Sequence, residues 1–183
     1  MKTSDADILI VPGLGGSGPD HWQTRWEQKL STARRVVQAD WDRPVLEAWT
    51  HNLVEAVAAS IRPVILVAHS LGVATVAHAA PSLPYGTVRG AVLVALPDVE
   101  RPDAPAEIDP AFRPLTREPL PFPSLLIASR DDPYCTYERA EDFAYAWGAA
   151  IVDAGQAGHI NAESGYGPWP EGLMRFAGFL KLL

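Results

Sequence analysis

Val64-Ile65-Leu66-Val67-Ala68-His69-Ser70-Leu71-Gly72-Val73-Ala74 decides how the rest of this chain is read. Its first five residues are all apolar and predict a strand buried on both faces, and Leu71 to Ala80 predicts a helix packed back onto it. Ser70 falls at the bend between them. A serine raised on such a bend has its Oγ clear of the backbone, and the following helix aims the positive end of its dipole at whatever that oxygen attacks. The tight turn needs small neighbours, and Ala68 and Gly72 stand two residues either side. The pattern is thus a variant of the G-x-S-x-G elbow with alanine in the first glycine position. The competing reading makes Ser70 only the N-cap of the next helix, so the decision rests on its surroundings.

Those surroundings repeat one theme. Ile8 to Val11 predicts a short buried strand running into Pro12-Gly13-Leu14-Gly15-Gly16-Ser17-Gly18-Pro19. Asp20 then reads as an N-cap with Gln23 three residues on, and Trp22, Trp26 and Leu30 recur at helical spacing. Arg35 to Gln38 predicts a second strand, and Leu46, Trp49, Leu53 and Val57 a helix stripe entered through Pro44. Ala91 to Ala95, Ser124 to Ala128 and Ala150 to Val152 complete the strands. Helices are predicted from about Thr136 to Gly148 and over Leu173 to Leu180. Between Pro97 and Pro123 the chain places eight of its 17 prolines, which predicts an irregular surface excursion. Strands alternating with amphipathic helices imply one α/β domain over residues 1–183, with a mainly parallel sheet of about six strands, helices on both faces and no large cap domain.

The composition narrows the partners. A net charge of −7 and no basic cluster argue against nucleic acid. A single cysteine, Cys135, forbids an intramolecular disulfide, and no apolar run has membrane length. With no signal peptide visible, a cytoplasmic location is expected, with no membrane association.

In a parallel α/β sheet, ligands meet the carboxyl ends of the strands, and the polar residues of interest fall there. A serine hydroxyl needs a base to take its proton, and the base needs an acid to hold its tautomer. His159, in a glycine-bounded loop after the last strand, is the expected base. His21, His51, His69 and His78 read as packing or surface residues. Asp132, fixed by Pro133, is the expected acid, with Asp131 its near rival. The order Ser70, Asp132, His159 is that of α/β-hydrolases. Backbone N–H groups of Leu14, with Gly15 as alternative, and of Leu71 are the expected oxyanion donors. Trp41, Phe112, Tyr134 and Trp169 are candidate pocket residues, and a shallow pocket favouring short acyl chains is expected. No metal site is expected.

The segments Val11-Pro12-Gly13-Leu14-Gly15-Gly16-Ser17 with His21-Trp22, Ala68-His69-Ser70-Leu71-Gly72, Ser129-Arg130-Asp131-Asp132-Pro133-Tyr134 and Gly158-His159-Ile160-Asn161 resemble the small serine hydrolases of the RBBP9/YdeN family. The resemblance runs from the first strand to about Trp169. It implies a minimal α/β-hydrolase core without a large lid, a triad of Ser70, Asp132 and His159, no cofactor, and carboxylesterase-like action on small acyl esters. The chain departs at Ala68, where the family more often has glycine.

Two other readings compete. Gly13-x-Gly15-x-x-Gly18 after a strand, with Asp40 22 residues beyond Gly18, matches the dinucleotide fingerprint. That fingerprint needs its third glycine inside the helix, whereas Pro19 and Asp20 place the helix start later. The second is a hydrolase fold retained as a protein-interaction module. Relatives have been discussed as retinoblastoma-protein binders through L-x-C-x-E, but this chain has Pro133, Cys135 and Tyr137 at those positions. A protein partner therefore has no motif in its support.

Overall fold

The computed structural model describes all residues 1–183. Six strands, β1 (Asp7–Val11), β2 (Ala33–Arg35), β3 (Val64–His69), β4 (Val88–Val94), β5 (Ser124–Ala128) and β6 (Ala150–Asp153), form one sheet. Five helices accompany them: α1 (Trp22–Lys29), α2 (Leu46–Ala58), α3 (Leu71–Ala79), α4 (Tyr137–Trp147) and α5 (Pro170–Leu180). The strand order is β2-β1-β3-β4-β5-β6 and every pairing is parallel.

The period of two along each central strand builds two cores. Leu66 and Ala68 of β3 join Leu9, Val11, Ala91 and Leu93 under α2, α3 and α4, while Ile65 and Val67 join Ile8, Ile10, Val92 and Val94 under α1 and α5. Because helices cover both faces, the central strands carry near-continuous apolar runs rather than alternating. No helix is long and apolar enough to cross a membrane.

Three local expectations are corrected. The second strand is Ala33–Arg35 rather than Arg35 to Gln38; it is an edge strand, so its pairing with Ile8, Leu9 and Ile10 of β1 sets its extent. The cap of α1 is His21, whose Nδ1 accepts the N–H of Gln23 at 3.1 Å, while Asp20 pairs with Arg25 outside the helix. Gln23 is not a capping residue. It is fully buried and its amide donates to the carbonyls of Val11 (3.3 Å) and Val67 (3.1 Å), tying β1 to β3. Finally, the proline-rich segment is irregular but not superficial. It buries Val99, Ile108, Phe112, Leu115, Leu120 and Phe122 against the α2–α4 side. Proline forbids it a ladder, yet its apolar side chains still leave water.

The topology fixes where a site can form. β1 is flanked by β2 on one side and β3 on the other, so successive connections leave in opposite directions and open a crevice beyond their carboxyl ends. The glycine loop after β1 and the bend after β3 meet there.

Candidate active site

Ser70 occupies the bend between β3 and α3 with φ 54° and ψ −127°. Such a backbone is costly for a non-glycine residue, of order 1–3 kcal/mol, and here it is held by hydrogen bonds from the Ser70 N–H to Val94 and from the Val73 N–H to the Ser70 carbonyl. The two small neighbours differ in importance. A Cβ on Gly72 would sit 2.2 Å from the Val11 carbonyl oxygen and 2.7 Å from that of Pro12, so only glycine lets α3 start this close to β1. Ala68 lies within β3, fully buried among core side chains, where a methyl group fits.

Three side chains from three strand ends converge. His159 Nε2 lies 2.8 Å from Ser70 Oγ, and its Nδ1 lies 2.9 and 3.0 Å from the two carboxylate oxygens of Asp132. With a carboxylate on one side, Nδ1 carries the proton and Nε2 is left as the acceptor of the serine hydroxyl. His159 is 7% exposed and the Asp132 side chain 3%, which shields these hydrogen bonds from water.

The two adjacent aspartates have different partners. Asp131 Oδ1 accepts the Ser129 hydroxyl at 2.7 Å and the Gly158 N–H at 2.8 Å, and these bonds hold its carboxyl below the ordinary range. It therefore anchors the loop that carries His159, while Asp132 faces the imidazole. Sequence reasoning missed the rest of that anchorage. Ser129 Oγ accepts the Ala157 N–H at 2.9 Å, Ser164 Oγ accepts the His159 N–H at 3.2 Å, and the His69 Nε2–H donates to the His159 carbonyl at 2.9 Å. The position of Ser129 at a strand end was a visible signal, but isolated serines are too common to single out. His69, expected as a packing or surface residue, is buried, and its ring nitrogen carries this bond. Burial, with the positive potential of His159 and His21 nearby, pushes its pKa well below the ordinary value. His21 is likewise pushed down to about 4, chiefly by burial, then by His159 and Arg35.

The glycine loop approaches the same point. A Cβ on Gly13 would lie 2.8 Å from Ser70 Cβ and 2.9 Å from the Leu71 nitrogen, so the main chain passes directly against the bend. The Gly15 N–H, the alternative oxyanion donor, is committed to the Trp41 carbonyl at 2.9 Å. Leu71, as the first residue of α3, has no intrahelical acceptor for its N–H.

A cavity of about 500 Å³ opens beside Ser70. Leu14 and Leu71 line it, Pro97, Pro105 and Ile108 reach it from the proline-rich segment, and Tyr134 follows Asp132 into it. Its polar part includes Ser17, Asp20 and His21 before α1 and Asn161 and Glu163 after His159. Of the four aromatics expected here, only Tyr134 lines the cavity, its ring 4.5 Å from that of His159. Phe112 is fully buried in the core beneath the proline-rich segment, and Trp169 packs among Trp22, Trp26 and Tyr166. Trp41 is half-buried against Gly16 and Trp49, one layer behind the glycine loop. All three fill volume where the sequence offered only their nearness to strand ends.

Cys135 is buried beside Asp98 and Asp132, and desolvation followed by these charges pushes its thiol up to about 12, so it is no nucleophile. No three His, Cys, Asp or Glu side chains gather to hold a metal ion. The dinucleotide pattern lacks its geometry: α1 begins at Trp22, beyond Gly18, and a Cβ on Gly18 would meet nothing within 4 Å. Asp40 is spent on the N–H groups of Asp42 and Arg43 and on the Arg43 side chain.

Comparison with known proteins gives the family and the fold. The family described as serine hydrolase matches residues 8–178. A YdeN-like hydrolase from Pectobacterium atrosepticum is 34% identical, with a TM-score of 0.86 over 98% of this chain and 93% of that one. The ydeN gene product of B. subtilis is 20% identical, with a TM-score of 0.81 over 96% and 99%. A butyrate-bound esterase 2 from Thermogutta terrifontis shares the fold at 15% identity, with a TM-score of 0.69 over 98% and 84%. No curated protein sequence matches significantly. The chain belongs to the serine hydrolase family, with the fold of the YdeN-like α/β-hydrolases.

Proposed function

We propose that this hydrolase cleaves small acyl esters through an acyl-serine intermediate. The observation that carries the reading is the 2.8 Å approach of His159 Nε2 to Ser70 Oγ, with Asp132 on the opposite nitrogen. Ser70 Oγ attacks the ester carbonyl while His159 takes its proton. Asp132 keeps the imidazole in the required tautomer and stabilises it once charged. The N–H groups of Leu14 and Leu71 receive the developing oxyanion. His159 then returns the proton to the departing alcohol, and water repeats the sequence to free the acid and restore Ser70.

The cavity favours short acyl groups, because no cap domain covers it and most of its walls come from loops. Pro105 and Ile108 give an apolar surface for a few methylenes. An esterase of the same fold holds butyrate, an acyl group of the size expected.

The test is treatment of the purified protein with a fluorophosphonate and location of the adduct by mass spectrometry. Stoichiometric labelling of Ser70, lost in Ser70→Ala and His159→Ala, is the expected result. A panel of 4-nitrophenyl esters should then peak between acetyl and butyryl. Absence of labelling in folded protein would overturn the mechanism, and rates rising steadily to long chains would overturn the acyl preference.

A further inference from the structure

The cavity beside Ser70 has two formally charged side chains, and both are negative: Asp20 and Glu163. No lysine or arginine lines it. The arginines of the surrounding segments are already committed. Arg25 pairs with Asp20 at 3.1 Å, Arg35 with Glu27 and the carbonyls of Gly16 and Ser17, Arg101 with Asp103, and Arg139 with Asp98 and Glu100. Glu163 is exposed and takes part in no ion pair. The two imidazoles that face the cavity beside His159 are no substitute for a cation, since burial keeps both His21 and His69 uncharged at neutral pH.

An anionic substrate meets two obstacles here. It must leave water for a site that offers its charge no partner, and it must approach a protein of net charge −7 through a mouth bearing an unpaired carboxylate. An uncharged ester meets neither. From this we infer that the site selects by charge, accepting esters uncharged in both the acyl and the alcohol half and turning away those that carry a carboxylate or phosphate, with Glu163 the main determinant. Asp20, partly neutralised by Arg25, contributes less. The inference rests on the hydrolase reading above and narrows its substrate class.

Methyl 4-acetoxybenzoate and 4-acetoxybenzoate, followed by release of the phenol, test it, because they share the acetyl group and the ring and differ by a methyl group and one negative charge. Each kcat/KM is divided by that ester's own hydroxide-catalysed rate to remove the difference in leaving group. At low ionic strength the uncharged ester should be favoured by about tenfold or more. The ratio should fall in 0.5 M salt, to about half or less, as exposed charges are screened. Glu163→Gln should reduce it and Glu163→Lys reduce it further. A ratio near one in the wild-type protein, or one unmoved by Glu163→Lys, would overturn the inference. So would a protein labelled at Ser70 by fluorophosphonate that hydrolyses neither ester. Failure of that labelling in folded protein would instead remove the hydrolase reading on which the inference stands.

Discussion

The Nε2–H of His69 donates to the main-chain carbonyl of His159 at 2.9 Å, so the residue beside Ser70 in sequence grips the backbone of the histidine beside Ser70 in space. The N–H of the same residue is also held, by Ser164 Oγ. Backbone clamps of this kind leave the imidazole free to exchange protons while fixing where it stands.

His69→Leu removes the donor and leaves a buried carbonyl unpaired. A neutral hydrogen bond is worth about 1 kcal/mol and an orphaned buried group about 1–3 kcal/mol, so kcat should fall by roughly tenfold with KM little changed. His69→Gln, which keeps a donor on a side chain of similar reach, should recover part of the loss. Steady-state kinetics on an acetyl ester distinguishes the two variants, and equal loss in both would show that the ring fills space rather than holding the loop.

The two adjacent aspartates should separate cleanly. Asp132→Asn leaves the shape intact but favours the wrong imidazole tautomer, and a fall in kcat of about 10⁴ is expected. Asp131→Asn weakens only its bonds from Ser129 and Gly158, and its loss should be much smaller. Rates of fluorophosphonate labelling, compared between the two variants at one pH, decide the assignment.

Leu14→Pro removes a backbone N–H at the first residue of the short 3-10 turn Leu14–Gly16, where the fixed φ of proline fits and Gly13 before it is extended. Loss of one oxyanion donor should lower kcat by about 10²–10³ with the melting temperature nearly unchanged. Near-wild-type kcat in folded Leu14→Pro would move the donor elsewhere.

Gly72→Ala and Ala68→Gly should differ in how much they cost the fold. The new Cβ at position 72 meets backbone oxygens that cannot turn aside, and a cost of about 3 kcal/mol or more is expected, lowering Tm by on the order of 10 °C. Ala68→Gly restores the commoner motif and costs only about 1 kcal/mol of strand propensity and packing. Thermal unfolding of both proteins measures the difference.

Stability should fall with acidity from about pH 6.5 downward. His21 and His69 are held neutral in the fold by burial, whereas in the unfolded chain they titrate near pH 6.5. Between that value and about pH 4, where His21 titrates in the fold, the unfolded state binds more protons. Stability is therefore full above pH 6.5 and declines below it, by at most about 1.4 kcal/mol per pH unit for each group. Denaturant unfolding between pH 7.5 and 4.5 measures this slope, which should be shallower in His21→Asn.

The sequence by itself determined the layer architecture, the bend at Ser70, and the serine, the histidine and the aspartate pair from which the residues that meet there are drawn. These are encoded locally: apolar runs of strand length, helical spacing, glycine at a close approach, and a proline that fixes its preceding aspartate. Parallel topology then carries such strand ends to one edge of the sheet, so residues 89 positions apart become neighbours without any signal between them. Only the tertiary structure decided which aspartate faces His159, that Gly15 is already bonded to Trp41, and that Phe112 and Trp169 belong to the core. Each of these depends on where a side chain points after packing. A residue next to a strand end is equally close to the site and to the layer beneath it, and burial of apolar area favours the layer beneath unless something blocks it. The clamp from His69 was illegible for the same reason, because its partner is a backbone carbonyl, which every residue has.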